Sequence, residues 1–237
     1  MTRTFASDKI THMPRTRIKI CGITRSQDAR AAALAGADSI GLNFYPKARR
    51  CITIDRAREI LRELPPFVTP VGLFVNQSVN EIKSIAIQLA LSCLQLHGQE
   101  PPQIAAELRP FKILKALHAD RGKLEIELQT WRKQIESLNL QHVQGFILET
   151  PAAAGMGGTG VENDWAYLAE LKRAGAFENL PPMIIAGGLT PENVAAVVKM
   201  LDPYAVDVSS GVEEQFGEKS PAKIQAFVTA ATRARSL

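Results

Sequence analysis

Long apolar runs, clustered histidines and paired cysteines are what this chain lacks. No stretch of 18 apolar residues occurs among its 237, which excludes a membrane-spanning helix. Three cysteines, Cys21, Cys51 and Cys93, stand at no metal-ligand spacing and cannot all pair, so a reduced, cytoplasmic setting is expected. The four histidines, His12, His97, His118 and His142, are scattered with no carboxylates clustered beside them, so no metal site is expected. No G-x-G-x-x-G fingerprint occurs either, and no cofactor is expected.

Basic charge is also scarcer than the formal net +4 implies. Residues 1–17 hold Arg3, Lys9, Arg15 and Arg17 against Asp8 alone. The remaining chain is close to neutral, with no basic stripe carrying interleaved aromatics, so a nucleic-acid partner is not expected. This tail has no apolar core of secretory type. Residues 1–17 therefore read as a disordered N-terminal extension, or as sequence upstream of a start at Met13. Residues 18–237 read as one catalytic domain.

What is present is a repeating pattern in a chain 46% hydrophobic and 22% charged, ample for one large core. Short apolar runs at 18–21, 39–43, 69–75, 93–96, 111–116, 145–148, 183–186 and 205–208 alternate with helical patterns. Ser78 is a candidate N-cap for the third helix. Thr190, with Pro191 at the first helical position, is the candidate for the seventh. Most of the runs are continuous rather than alternating, as in a parallel sheet covered on its outer face. Eight strand–helix units in one series, with no linker, predict an α/β fold: a single (β/α)8 TIM barrel. A doubly wound sheet is the weaker alternative, because the turn after the first strand is Gly22-Ile23-Thr24.

In such a barrel the chemistry lies in the loops after each strand. The first strand delivers Cys21 to that rim. A rim cysteine is a candidate nucleophile or base, but equally a small apolar filler. Lys19, two residues back, points the same way only at depth and is not read as acting on the thiol. After the second strand come Lys47, Arg49 and Arg50, either a solvated face or a carboxylate clamp using one arginine. The fourth strand contributes Gln95 and His97, and the histidine reads as structural. Glu149 ends the sixth strand, before a glycine-rich stretch, 151–160, which resembles a lid. Gly187 and Gly188 follow the seventh strand, and Ser209, Ser210 and Gly211 the eighth, at what reads as another helix start. Paired anion-friendly loops at those two rims suit a phosphate group. Together these parts suit proton transfer on a phosphorylated small molecule.

Several segments carry a closer resemblance. Ile18-Lys-Ile-Cys-Gly-Ile-Thr24, Gly41-Leu-Asn-Phe-Tyr-Pro-Lys47 with Arg50, Val71-Gly-Leu-Phe-Val-Asn76 and Leu94-Gln-Leu-His-Gly98 are similar, in order, to the phosphoribosylanthranilate isomerases. So are Gly157-Gly-Thr-Gly160 with Asp164-Trp165, Gly187-Gly-Leu-Thr-Pro-Glu-Asn193 and Ala205-Val-Asp-Val-Ser-Ser-Gly-Val-Glu213. The resemblance runs from residue 18 to about 230 and implies an Amadori rearrangement in tryptophan synthesis. It implies Cys21 as general base, Arg50 on the anthranilate carboxylate, and Asp207 facing the sugar. It places Gly187, Gly188, Ser209 and Gly211 in the phosphate region. The general acid of that family is an aspartate, and here the position holds Glu149. Either carboxyl is expected to be partly protonated near neutrality. The added methylene moves the group by about an ångström, a shift that can cost 10²-fold. The alternative is a weakened or silent phosphate-ligand-binding barrel of the same fold. A monomer or a homodimer is compatible with the sequence.

Overall fold

A computed structural model describes residues 15–149 and 164–234. The expected extension over 1–14 and the glycine-rich stretch 151–160 lie outside the described residues. Eight strands alternate with eight helices: β1 (Arg17–Ile20), α1 (Ser26–Ala35), β2 (Ser39–Asn43), α2 (Ile54–Arg62), β3 (Thr69–Phe74), α3 (Val79–Gln88), β4 (Cys93–Leu96) and α4 (Pro102–Glu107). There follow β5 (Lys112–His118), α5 (Lys123–Ser137), β6 (Val143–Glu149), α6 (Trp165–Arg173), β7 (Met183–Ile185), α7 (Val194–Leu201), β8 (Ala205–Val208) and α8 (Pro221–Arg233). The strands pair in chain order and close into a barrel. Every pair in it is parallel, and β1 joins β8 with Lys19 opposite Asp207 and Ile20 opposite Val208.

Two apolar regions hold this shape. The larger lies between barrel and helices and includes Ile18, Ile20, Ile40, Leu42, Phe74, Leu94, Leu96, Phe146, Val206 and Val208. The smaller fills the barrel itself with Ala116, Ile147, Ile184, Ala186 and Ala205. Successive strand side chains point to opposite faces. The residue two positions beyond an interior one is therefore interior again, nearer the C-terminal rim. Ala116 leads to His118, Ile147 to Glu149 and Ala205 to Asp207. The rim chemistry follows directly from strand periodicity.

Local signals explain most element ends. Ser78 accepts from the Glu81 amide while Glu81 reaches back to the Ser78 amide, a capping box that starts α3. Thr53 caps α2, and Asp164 caps α6 by accepting from the Tyr167 amide. Three expectations need correction. The first strand begins at Arg17, where Asp38 gathers Arg15, Arg17 and the Ile18 amide within 2.7–2.8 Å. α7 begins at Val194, with Asn193 and not Thr190 at its cap. Asn193 Oδ1 accepts from the Thr190 amide and its Nδ2 donates to Gly188 O, which folds 188–193 into a turn ahead of the helix. After β8 the chain makes one 3-10 turn, Ser210–Val212, then an unforeseen hairpin of β9 (Glu213–Gln215) and β10 (Glu218–Lys219). Among the described residues no helix is long and apolar enough to cross a membrane.

Candidate active site

Cys21 stands one residue beyond β1, and its amide donates to Val208 O at 2.8 Å. Gly22 then takes φ +71°, a left-handed turn that L side chains avoid. A Cβ there would meet Arg50 Cδ at 2.6 Å and Ser209 Oγ at 3.1 Å, so the glycine lets the arginine cross the rim. Gly41 on β2 does the same for the thiol: a Cβ would lie 2.7 Å from Cys21 Sγ and 3.2 Å from Lys19 Nζ.

Lys19 and Cys21 therefore share one pocket above Gly41, contrary to the reading that set the lysine apart. Both lie on the interior face, two residues apart, and the long side chain reaches up to the rim. Lys19 Nζ pairs with Asp207 Oδ2 at 2.7 Å and stands beside the Cys21 sulfur over Gly41. Burial works against the ammonium charge, but Asp207 and Cys21 outweigh it and raise the lysine pKa. Burial pushes the Cys21 thiol above its ordinary range, against the pull of Lys19. Burial likewise raises Asp207, with Lys19 opposing. Asp207 Oδ1 is buried and has no partner among the described residues, an open acceptor at the rim.

Across the barrel, Glu149 Oε1 lies 2.7 Å from His97 Nε2. His97 Nδ1 lies 2.6 Å from the side-chain amide nitrogen of Gln95, which is fully buried. The histidine read as structural thus contacts the candidate acid. Burial would raise the Glu149 pKa, but His97, His118 and Lys19 hold it below the usual carboxylate value. This direction runs against the expectation of a glutamate partly protonated near neutrality. Burial disfavours a charged His97, yet Glu149 outweighs that and lifts its pKa.

Arg50, not Arg49, is the buried arginine of the second rim loop. Its Nε and Nη2 donate to the two oxygens of Glu213 at 2.7 and 2.8 Å. Phe216 lies 4.2 Å from its guanidinium carbon, with Arg49 on the same ring at 3.7 Å. Lys219, whose side chain is 0% exposed, donates to Glu213 Oε1 and to Ser209 O, both at 2.9 Å. Two cations around one carboxylate leave a single positive charge at this corner. Nothing in the spacing singled out Glu213, Phe216 or Lys219. They arrive on the hairpin.

The β7 and β8 loops meet as expected. Gly187 and Gly188 take φ +83° and +67°. A Cβ on Gly211 would sit 1.9 Å from Leu189 O, so only glycine allows the two loops this close. Ser209 lies between them and Arg50, against Lys219. The structure thus brings Cys21, Lys19, Asp207, Arg50 and Ser209 to one side of the rim. Glu149 with His97 and Gln95 stands on another. Among the described residues no group of three histidine, cysteine or acidic side chains forms a metal cluster.

Four similarities bear on the chain as a whole. A profile of the N-(5'-phosphoribosyl)anthranilate (PRA) isomerase family matches residues 18–230. The N-(5'-phosphoribosyl)anthranilate isomerase of Pseudomonas aeruginosa strain UCBPP-PA14 is 46% identical over 220 residues, 92% of this chain and 96% of that protein. The crystal structure of phosphoribosyl anthranilate isomerase from Thermotoga maritima superposes with a TM-score of 0.79 at 35% identity, covering 91% of this chain and 98% of its own. A phosphoribosyl anthranilate isomerase in complex with reduced 1-(o-carboxyphenylamino)-1-deoxyribulose 5-phosphate gives 0.76 at 33% identity, with the same coverage.

Proposed function

The chain belongs to the N-(5'-phosphoribosyl)anthranilate isomerase family and is an aldose–ketose isomerase of tryptophan biosynthesis; from that premise we propose which of its side chains carry the reaction. Glu149 is the general acid. Its proton goes to the ring oxygen of the ribose as the C1'–O bond breaks, and the anilino nitrogen supplies the electron pair that makes the C=N bond. Cys21, as thiolate, then removes the C2' proton. The resulting enolamine becomes the ketone by losing its hydroxyl proton and gaining one at C1'.

The other residues bind and orient. Lys19 favours the thiolate, since a nearby ammonium stabilises the charged sulfur. Asp207 Oδ1, buried without a partner, accepts from a sugar hydroxyl. Arg50 takes the anthranilate carboxylate on the edge that Glu213 leaves open. Gly187, Gly188, Ser209 and Gly211 surround the phosphate, where closely approaching backbone offers N–H donors. The substrate is thus a phosphorylated small molecule held by its two anionic ends. Three free cysteines among the described residues suit a reducing, cytoplasmic setting.

The observation that carries this reading is the Lys19–Asp207 ion pair, which fixes a buried ammonium beside Cys21 at the rim where β1 meets β8. The test is turnover of N-(5'-phosphoribosyl)anthranilate, followed as loss of its fluorescence, in wild type, Cys21→Ala and Glu149→Gln. Wild type turns over, and each variant falls by about 10²–10⁴-fold. Full activity in either variant removes that residue from its role.

A further inference from the structure

A carboxyl held below its usual pKa is a poor store for a proton at neutral pH, and its surroundings offer a better one. Glutamate is longer than aspartate by one C–C bond, about 1.5 Å. In this chain the extra reach ends on His97, with Glu149 Oε1 2.7 Å from Nε2. The far side of the same ring meets the Gln95 amide at 2.6 Å, and Gln95 Oε1 is buried with no partner among the described residues. A primary amide carries a donor and an acceptor at equal reach. Its NH2 donates to the bare Nδ1 of a neutral imidazole. Turned end for end, its oxygen accepts from the Nδ1–H of an imidazolium. The Nδ1 side of the ring therefore keeps a partner in either charge state.

We propose that His97 and Glu149 hold one proton in common and act as a single acid: the proton rests on the imidazole, between Gln95 and Glu149, and reaches the substrate through the glutamate carboxyl. The inference rests on Glu149 being the acid, and makes His97 and Gln95 positioning residues that act through it. As the proton crosses from Nε2 to Oε1, the N–H electron pair stays on nitrogen. As it leaves for the ribose ring oxygen, the O–H pair stays on the carboxylate. Neutral imidazole and carboxylate remain. The proton that Cys21 takes from C2' balances the one given up, so the cycle consumes none.

The groups facing this pair favour that resting state. Glu149 on β6, Lys19 on β1 and Asp207 on β8 face the imidazole, and Gln95 on β4 closes its other side. His97, His118 on β5 and Lys19 face the carboxylate. Burial and Lys19 disfavour the imidazolium, but Glu149 and Asp207 together outweigh them. The pair thus keeps its proton above the pH of about 6.5 at which a free imidazole loses half of its own.

Two measurements test this on the whole enzyme. In ¹⁵N-histidine-labelled protein, the His97 ring, identified by its loss in His97→Gln, is expected to titrate above pH 6.5 in wild type and below it in Glu149→Gln. In the kcat/KM profile, an acid whose pKa lies below that of the thiol sets the acidic limb. In His97→Gln that limb moves to lower pH, and the plateau falls about tenfold for each pH unit moved. Gln95→Met, which removes the acceptor at similar volume, moves the limb the same way. A His97 ring already neutral at pH 6.5 in wild type, or variants that lose rate equally at every pH with the limb unmoved, overturns the shared proton. Full activity in Glu149→Gln overturns the acid assignment itself, and the inference falls with it. Loss of activity in Glu149→Gln beside a neutral His97 overturns the inference alone.

Discussion

Lys19 and Asp207 form a 2.7 Å ion pair with side chains only 3% and 6% exposed, across the seam where β1 meets β8. Their positions oppose each other in the strand register, 188 residues apart in sequence, so the contact exists only because the barrel closes. One end of the lysine stands beside both the Asp207 carboxylate and the Cys21 sulfur. The ammonium is thus fixed beside the candidate base by a partner that cannot leave. The geometry ties barrel closure to thiol chemistry.

Replacing the lysine separates its two roles. In Lys19→Met, Cys21 loses the cation that opposes burial, so its pKa rises further and thiolate at a given pH falls about tenfold per unit. Alkylation of Cys21 by iodoacetamide, followed against pH, is expected to shift to higher pH, with kcat falling in parallel. The same change strands Asp207 in the barrel, at about 3–5 kcal/mol of stability in urea denaturation. An unshifted alkylation profile would leave Lys19 a purely structural partner of Asp207.

Gly41 offers a change at the floor of the pocket that the thiol shares with Lys19. An added Cβ would come 2.7 Å from Cys21 Sγ and 3.1 Å from its Cα, closer than real Cβ contacts run. Gly41→Ala is expected to keep the barrel, at about 1–3 kcal/mol for overpacking, and to displace the sulfur. A base misplaced on that scale loses about 10²-fold in kcat, with a smaller change in KM because the Arg50 and phosphate-loop contacts are untouched. Steady-state kinetics beside a thermal melt decides it. Wild-type kcat in a stable Gly41→Ala protein would show that the sulfur position does not matter.

Arg50 is held along its Nε–Nη2 edge by Glu213, and Lys219 neutralises that carboxylate from the other side. Its remaining donors are the ones available to substrate. Arg50→Lys replaces a planar fork by a point charge and is expected to lower kcat/KM by about 10²-fold. Glu213→Gln keeps the shape but loosens the guanidinium, and should raise KM about tenfold. N-(5'-phosphoribosyl)aniline, which lacks the carboxylate, is the control: neither variant should lose on it what it loses on the anthranilate substrate. Equal losses on both substrates would remove Arg50 from the carboxylate.

The barrel was legible because its strands are short apolar runs at regular spacing, and the rim positions of Cys21 and Glu149 were legible because each ends or follows one of them, whereas spacing left open which arginine of the second rim loop turns inward. Pairings between rims were not. Lys19 appeared unconnected to catalysis because strand periodicity tells which face a residue takes and not which strand closes beside it. His97 read as structural for the same reason, since Glu149 comes from two strands further on. The start of α7 was misplaced because Asn193 spends its side chain on Thr190 and Gly188, and that turn competes with the Thr190-Pro191 start signal. Glu213, Phe216 and Lys219 lie on a two-stranded hairpin too short to leave an alternating pattern.

The glutamate itself gives the last test. Glu149→Asp keeps a carboxyl but withdraws it by about an ångström, enough to break a 2.7 Å contact with His97. Freed of that partner, the His97 pKa falls, because burial and Lys19 are the influences left opposing its charge. The acid then stands protonated over a narrower range at the low-pH side, and kcat at neutral pH is expected to fall about 10- to 10²-fold. Glu149→Gln, with no proton to give, falls further. The pair of variants, assayed from pH 6 to 9, therefore ranks the carboxyl and its reach separately. A Glu149→Asp enzyme faster than wild type would mean that the longer side chain is a handicap here and that His97 contributes nothing to the acid.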